Sequence, residues 1–211
     1  MRYVLLLGLL ISSGAGAAPV ILVFGDSLAA GYGIPRQAGW VELLRQRLER
    51  EQRHYSVVNA SISGETTAGG RTRLAASLAR HRPAVVILEL GANDGLRGLP
   101  LEASRANLAA MLQACRASQA RTLLVGMKMP PNYGPAYTRQ FEEIYRTVAR
   151  QYRAALVPFL LAGIAEKREL FQADGLHPTA DAQPALLENV WRELQPLLDD
   201  DQRAPETGTK R

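Results

Sequence analysis

The 211-residue sequence contains one cysteine and three histidines, and aromatic side chains make up only 6% of it. A single thiol cannot form an internal disulfide, whatever the redox state of the compartment. H-E-x-x-H, C-x-x-C and G-x-x-x-x-G-K-[ST] do not occur, so zinc, redox and nucleotide-phosphate readings have no support. There is also no block of like charge. The formal net charge of +5 comes from arginines scattered over most helical stretches, with no interleaved aromatic stripe. A nucleic-acid surface needs clustered cations, so none is expected. Long apolar runs are missing too: the stretch at 4–11 is about half of the roughly 20 residues a membrane span needs.

That N-terminal stretch has another reading. Met1 and Arg2 form a short positive region, residues 4–11 a compact apolar segment, and Ala15-Gly16-Ala17 a small-residue cleavage site. An export signal cut after Ala17 is expected, with the mature chain starting at Ala18 in the periplasm or outside the cell. No cysteine follows the apolar segment, which argues against a lipid anchor. Residues 199–211 are polar and aperiodic and read as a disordered tail. Residues 18–198 remain as one domain, in a chain 47% hydrophobic and long enough for a sizeable core.

Within it, strand-like runs near 20–25, 55–59, 84–90, 121–127 and 154–158 alternate with helical patterns near 38–53, 69–81, 103–118, 136–152 and 182–198. Runs such as Ala84-Val-Val-Ile-Leu88 are apolar without alternation, as in strands covered on both faces. Phe141, Ile144, Tyr145, Val148, Ala149 and Tyr152 keep to one helix face. Leu108, Met111, Leu112 and Cys115 recur at i, i+3, i+4 and i+7, which makes the thiol a core group. Five βα units imply an α/β fold: a three-layer α/β/α sandwich on a five-stranded parallel, doubly wound sheet. In such sheets ligands bind at the carboxyl ends of the strands.

Those ends carry a short set of polar residues: Gly25-Asp26-Ser27, Gly64, Asn93-Asp94 and, ahead of the final helix, Asp174-Gly-Leu-His177-Pro178. Asp26 or Ser27 could simply cap the following helix; alternatively, Ser27 is a nucleophile on a rigid strand. His54 and His81 fall in arginine-rich turns and read as solvated. His177 is better placed. Asp174 lies three residues before it, a spacing that on a helical turn puts both side chains on one face. An aspartate holding one ring nitrogen leaves the other as base for a serine hydroxyl; the plainer reading is a local cap before the last helix. The Ser27 and Gly64 N–H groups and the Asn93 amide could face a developing negative charge. Asp26 and Asp94 read as anchors that bind backbone amides and aim Ser27 and Asn93. Ala29 stands where a G-x-S-x-G elbow needs its second glycine, which argues against an ordinary α/β-hydrolase.

Gly25-Asp26-Ser27-Leu28, Gly64, Gly91-Ala92-Asn93-Asp94 and Asp174-Gly-Leu-His177-Pro178 resemble, in order, the four blocks of the SGNH, or GDSL, hydrolase family. The likeness runs from about Val20 to Leu198. "NASISGETTAGG", "GANDGLRG" and "PPNYGPAY" resemble more narrowly the bacterial periplasmic thioesterase–arylesterase–lysophospholipase group. The resemblance implies a flavodoxin-like SGNH hydrolase fold. It also implies Ser27 as nucleophile, His177 as base, Asp174 as its orienting acid, and Ser27 N–H, Gly64 N–H and the Asn93 side chain as oxyanion hole.

The expected activity is hydrolysis of acyl esters and thioesters through an acyl-enzyme. No metal, cofactor, nucleic acid or stable membrane anchor is expected, and the chain is expected to act as a monomer. Met129, Pro130, Tyr133 and Tyr137 are the expected wall of the acyl pocket. Two alternatives stay open: a carbohydrate deacetylase of the same family, and a non-catalytic periplasmic binding protein on the same fold.

Overall fold

Apolar strands without polar alternation need cover on both faces, and the tertiary structure supplies it. The computed structural model describes residues 17–203. Strands β1 (Val20–Gly25), β2 (Ser56–Asn59), β3 (Val85–Glu89), β4 (Arg121–Val125) and β5 (Ala155–Val157) form one sheet in the order β2-β1-β3-β4-β5. Every neighbouring pair is parallel. The helices are α1 (Ser27–Ala30), α2 (Trp40–Arg50), α3 (Thr67–His81), α4 (Ala92–Leu96), α5 (Leu101–Ala117), α6 (Pro135–Tyr152) and α7 (Gln183–Arg203). Helices α3, α5 and α6 pack side by side, and α2 packs on α7. This is the expected three-layer α/β/α sandwich.

Residues 21–24, 85–88 and 123–125 are fully buried between the layers. The stripe on α6 from Phe141 to Ala149 faces this core, and so does Cys115, whose thiol burial pushes up to about 11. A thiol so placed is a packing group. The strand order reverses between β1 and β3, the point at which crossovers diverge and leave a crevice beyond the strand ends. Gly25 and Glu89, the last residues of β1 and β3, are register partners there.

Two elements carry no periodic signal. Helices α1 and α4 are four and five residues long, one turn each, and sit where loops were expected. Gly91 takes φ +118 to turn the chain from β3 into α4, and a Cβ there would run into the Tyr145 hydroxyl. Helix α3 starts at Thr67 rather than 69: the Thr66 hydroxyl caps it by accepting the Gly69 N–H at 3.3 Å, and Asp94 of α4 binds the Thr67 N–H at 2.8 Å and its hydroxyl at 2.5 Å. Helix α7 continues to Arg203, and Asp199 Oδ1 accepts from Arg53 Nη1 at 2.6 Å. Residues 1–16, holding most of the expected export signal, and 204–211 lie outside the described residues.

Candidate active site

Asp26 and Ser27 do different jobs. Asp26 is the N-cap of α1: its Oδ1 accepts the Leu28 N–H at 3.0 Å. Ser27 opens that helix and is 9% exposed at its surface. The turn is tied from outside. The Trp40 indole N–H donates to the Leu28 carbonyl at 3.0 Å, and the buried Gln183 Oε1 accepts the Trp40 N–H at 3.0 Å.

His177 approaches from the loop ahead of α7. Its Nε2 lies 2.9 Å from Ser27 Oγ, and its Nδ1 lies 2.7 Å from Asp174 Oδ2. The local geometry differs from the expected helical turn. Asp174 Oδ1 accepts the N–H groups of both Leu176 (2.9 Å) and His177 (3.0 Å), and Gly175 at φ +71 lets the chain fold back. The aspartate wraps its own turn, so the i, i+3 pair meets without a helix. Tyr32 packs against the other side of the imidazole, ring centroids 4.6 Å apart. A hydroxyl, an imidazole and a carboxylate in series can transfer a proton and act as an activated nucleophile. His54 and His81 stand on the surface, away from this array.

Asn93, on α4, donates its Nδ2–H to Asp26 Oδ2 at 3.1 Å, which leaves its second amide hydrogen for another acceptor. Arg97 Nη2 reaches the Gly64 carbonyl (3.1 Å) and Asn93 Oδ1 (3.4 Å), so Gly64 and Asn93 share one corner. The loop bearing Gly64 is held by Arg73, which pairs with Glu65, donates to the Ala60 carbonyl at 2.7 Å and lies 3.8 Å over the Phe24 ring. Asp94 anchors the base of α4 through Thr67 and the Ser104 hydroxyl (3.2 Å).

Residues 23–184 match the GDSL-like Lipase/Acylhydrolase family. The chain belongs to this family. It is 51% identical to "Esterase TesA" of Pseudomonas aeruginosa, over 94% of this chain and 100% of that one. It is 40% identical to "Thioesterase 1/protease 1/lysophospholipase L1" of Escherichia coli K12, over 91% of each. A crystal structure of TesA superposes with a TM-score of 0.83 at 52% identity, covering 84% of this chain and 99% of the other.

Beside Ser27 this GDSL-like acylhydrolase has a cavity of about 500 Å³, walled by Leu96, Met129 and Pro130 on one side and by Phe159, Leu161 and Phe171 on another. Met129 and Pro130, expected as pocket wall, are among the residues lining this cavity. Tyr133 and Tyr137 do not line it. Their hydroxyls donate to the carbonyls of Leu96 (3.0 Å) and Gly95 (2.9 Å), bracing α4 and so the cavity wall from behind.

The electrostatics of this corner are uneven. The hydrogen bond from His177, then the N–H groups of His177 and Leu176, lower the Asp174 carboxyl to about 2, so it stays charged. Burial raises Asp26 to about 6 despite the hydrogen bonds it accepts. Burial, followed by the charge of Asp26, holds the fully buried Glu89 well above the ordinary carboxyl range. Sequence reasoning missed Trp40, Gln183, Arg97, Tyr32 and Glu89. For Glu89 alone there is a signal: a carboxylate inside the apolar run Val85-Val-Ile-Leu-Glu-Leu90.

Proposed function

We propose that this chain is a serine esterase and thioesterase, of lysophospholipase type, acting on small-molecule acyl esters and thioesters. The observation that carries this is the series Asp174–His177–Ser27 at 2.7 and 2.9 Å, opening on an apolar cavity. Ser27 Oγ attacks the acyl carbonyl while His177 Nε2 takes its proton. Asp174 holds Nδ1–H and stabilises the imidazolium. The Ser27 and Gly64 N–H groups and the free Asn93 amide hydrogen receive the oxyanion. The tetrahedral intermediate collapses to a Ser27 acyl-enzyme as His177 gives its proton to the leaving alkoxide or thiolate. Water, deprotonated by His177, then attacks the acyl carbonyl, and His177 returns that proton to Ser27 Oγ as the acid leaves.

A deacetylase would need space for an acetyl group only, whereas a cavity of about 500 Å³ with apolar walls suits longer acyl chains. The test is labelling by a fluorophosphonate with the modified residue located by mass spectrometry, followed by rates on p-nitrophenyl esters and acyl-CoA thioesters of increasing chain length. Modification of Ser27 and a preference for chains longer than acetyl are expected. No labelling, as a binding protein would give, or a preference for acetylated sugars overturns the reading.

Residues 1–17 act as an export signal in this proposal, which makes the enzyme periplasmic or released, and it works as a monomer without a stable anchor. Among the described residues no helix is long and apolar enough to cross a membrane. Light scattering of the purified mature protein checks the monomer.

A further inference from the structure

Glu89 ends β3, Asp26 follows β1, and both side chains are 0% exposed. The register pairs Gly25 with Glu89, so the two strand ends drive two carboxyl groups into one corner. The Asp26 N–H donates to Glu89 Oε2 at 3.2 Å, which holds the Glu89 carboxyl against residue 26, where the charge of the Asp26 carboxyl acts on it. A Cβ on residue 25 would lie 2.6 Å from Glu89 Oε2, so the corner admits Glu89 only because Gly25 has no side chain. Two ionised carboxylates are acceptors only and repel when buried in one corner, so one of the two carries a proton. The steps proposed above make no use of Glu89, and burying a carboxyl with Oε1 unpartnered among the described residues is costly.

We propose that Glu89 is a positioning residue that shares one proton with Asp26, and that through Asp26 it fixes both the Asn93 amide and the Ser27 turn. This rests on the serine-hydrolase reading of the same site. Asp26 is the link, since its Oδ2 holds Asn93 Nδ2 and its Oδ1 holds the Leu28 N–H. With Glu89 neutral, one negative charge stands behind the oxyanion corner. A second charge would repel Asp26 from both donors and oppose the charge that develops on the substrate. The groups facing the pair are the Tyr145 hydroxyl from α6, bound to the Leu90 carbonyl at 3.0 Å, and His177 from the loop ahead of α7, while Asp94 from α4 acts on that same hydroxyl. Tyr145 and Asp94 bring no positive charge, and His177 faces Asp26, so the surroundings keep the proton on Glu89.

The experiment combines infrared spectroscopy with kinetics on the full mature chain. Protein labelled with ¹³C-glutamate should show a protonated carboxylic C=O band at neutral pH, absent from E89Q. E89Q, whose amide N–H replaces the shared proton, should keep kcat within about threefold, whereas E89L should lose roughly tenfold or more in kcat with KM little changed. As the band is titrated away on raising the pH, kcat of the wild type should fall with it, and kcat of E89Q should not. A wild type without the band, an E89L enzyme with full kcat, or a kcat that survives loss of the band overturns the proposal. Fluorophosphonate labelling of the wild type at Ser27 separates the two readings: its failure sinks the hydrolase itself, whereas labelling with any of those three results sinks only the role of Glu89.

Discussion

His177 Nε2 lies 2.9 Å from Ser27 Oγ although 150 positions of sequence separate them. The contact joins a loop ahead of α7 to the first residue of α1, and each side is fixed independently: His177 by the Asp174 turn, Ser27 by its Asp26 cap and by Trp40 beneath Leu28. Groups held that firmly before substrate arrives lose little ordering entropy in the reaction.

Ser27→Ala and His177→Ala should each abolish turnover to a similar level, because residues that act as one unit are not additive. Asp174→Asn should be somewhat less severe, since it misorients the base without removing it. Melting temperature should change little for Ser27→Ala, because the cap of α1 is Asp26. Rates on p-nitrophenyl esters and thermal melts of the three variants check this; an early-melting Ser27→Ala enzyme that still turns over would count against it.

Asn93→Ala should lower kcat by roughly 10²–10³, the usual cost of one preorganised oxyanion donor, with KM moving much less. Its Nδ2 is already aimed by Asp26. Circular dichroism and steady-state kinetics on the variant decide the matter, and full kcat with an intact fold would remove Asn93 from the mechanism.

The Asp174 carboxyl is held at about 2 against an ordinary 3.8 by the His177 ring and by two backbone N–H groups. A lowered carboxyl contributes stability that is fully present above its unfolded value and is lost as the pH falls through its folded one. The stability advantage of the wild type over Asp174→Ala should therefore be constant above about pH 4 and shrink between about 4 and 2. Thermal melts of both proteins across that range measure it.

Asp26 has the opposite sign. Burial raises it to about 6, so its penalty is absent below the ordinary 3.8 and develops as the pH rises through about 6. Asp26→Asn should keep the α1 cap through its side-chain oxygen and gain in relative stability across that window. Activity should nevertheless fall, since with its oxygen on the cap the amide turns an N–H towards the Asn93 N–H, donor against donor, and Asn93 loses its aim. Melting temperature against pH, set beside kcat, shows whether stability and activity part in this way.

Ala165 lines the cavity. Ala165→Phe should cut kcat/KM for long-chain esters more than for acetyl or butyryl esters, at about 1–3 kcal/mol for each methylene no longer accommodated. A chain-length series on the variant and the wild type is the check; a uniform loss at every length would place the acyl chain elsewhere.

Much of this was legible in one sequence. Apolar strands without alternation, helices with a 3.6-residue stripe and glycine-bounded polar ends are local patterns, and local sterics and burial decide them. The five strands, the five long helices and the three-layer arrangement follow from such patterns. The polar blocks that hold Asp26, Ser27 and Asn93 at strand ends, and Asp174 and His177 ahead of the last helix, are legible for the same reason.

Contacts across the chain decided the rest. The one-turn helices α1 and α4 are too short for a period and are tied from elsewhere in the chain, α1 by Trp40 on the Leu28 carbonyl and α4 by Thr67 on Asp94. Tyr133 and Tyr137 look like pocket residues in sequence, but carbonyls 37 and 42 positions away claim their hydroxyls. Trp40 and Gln183 look like ordinary helix residues until α7 is laid against α2. The Glu89–Asp26 pair is the sharpest case: a carboxylate ending an apolar strand is an oddity in sequence, and only the β1–β3 register shows that a second carboxyl is waiting beside it. Sequence alone determines which elements form and which polar residues sit at their ends, because those depend on neighbours along the chain. Which side chains share a proton, a wall or a hydrogen bond depends on neighbours in space, and only the folded sheet brings those together.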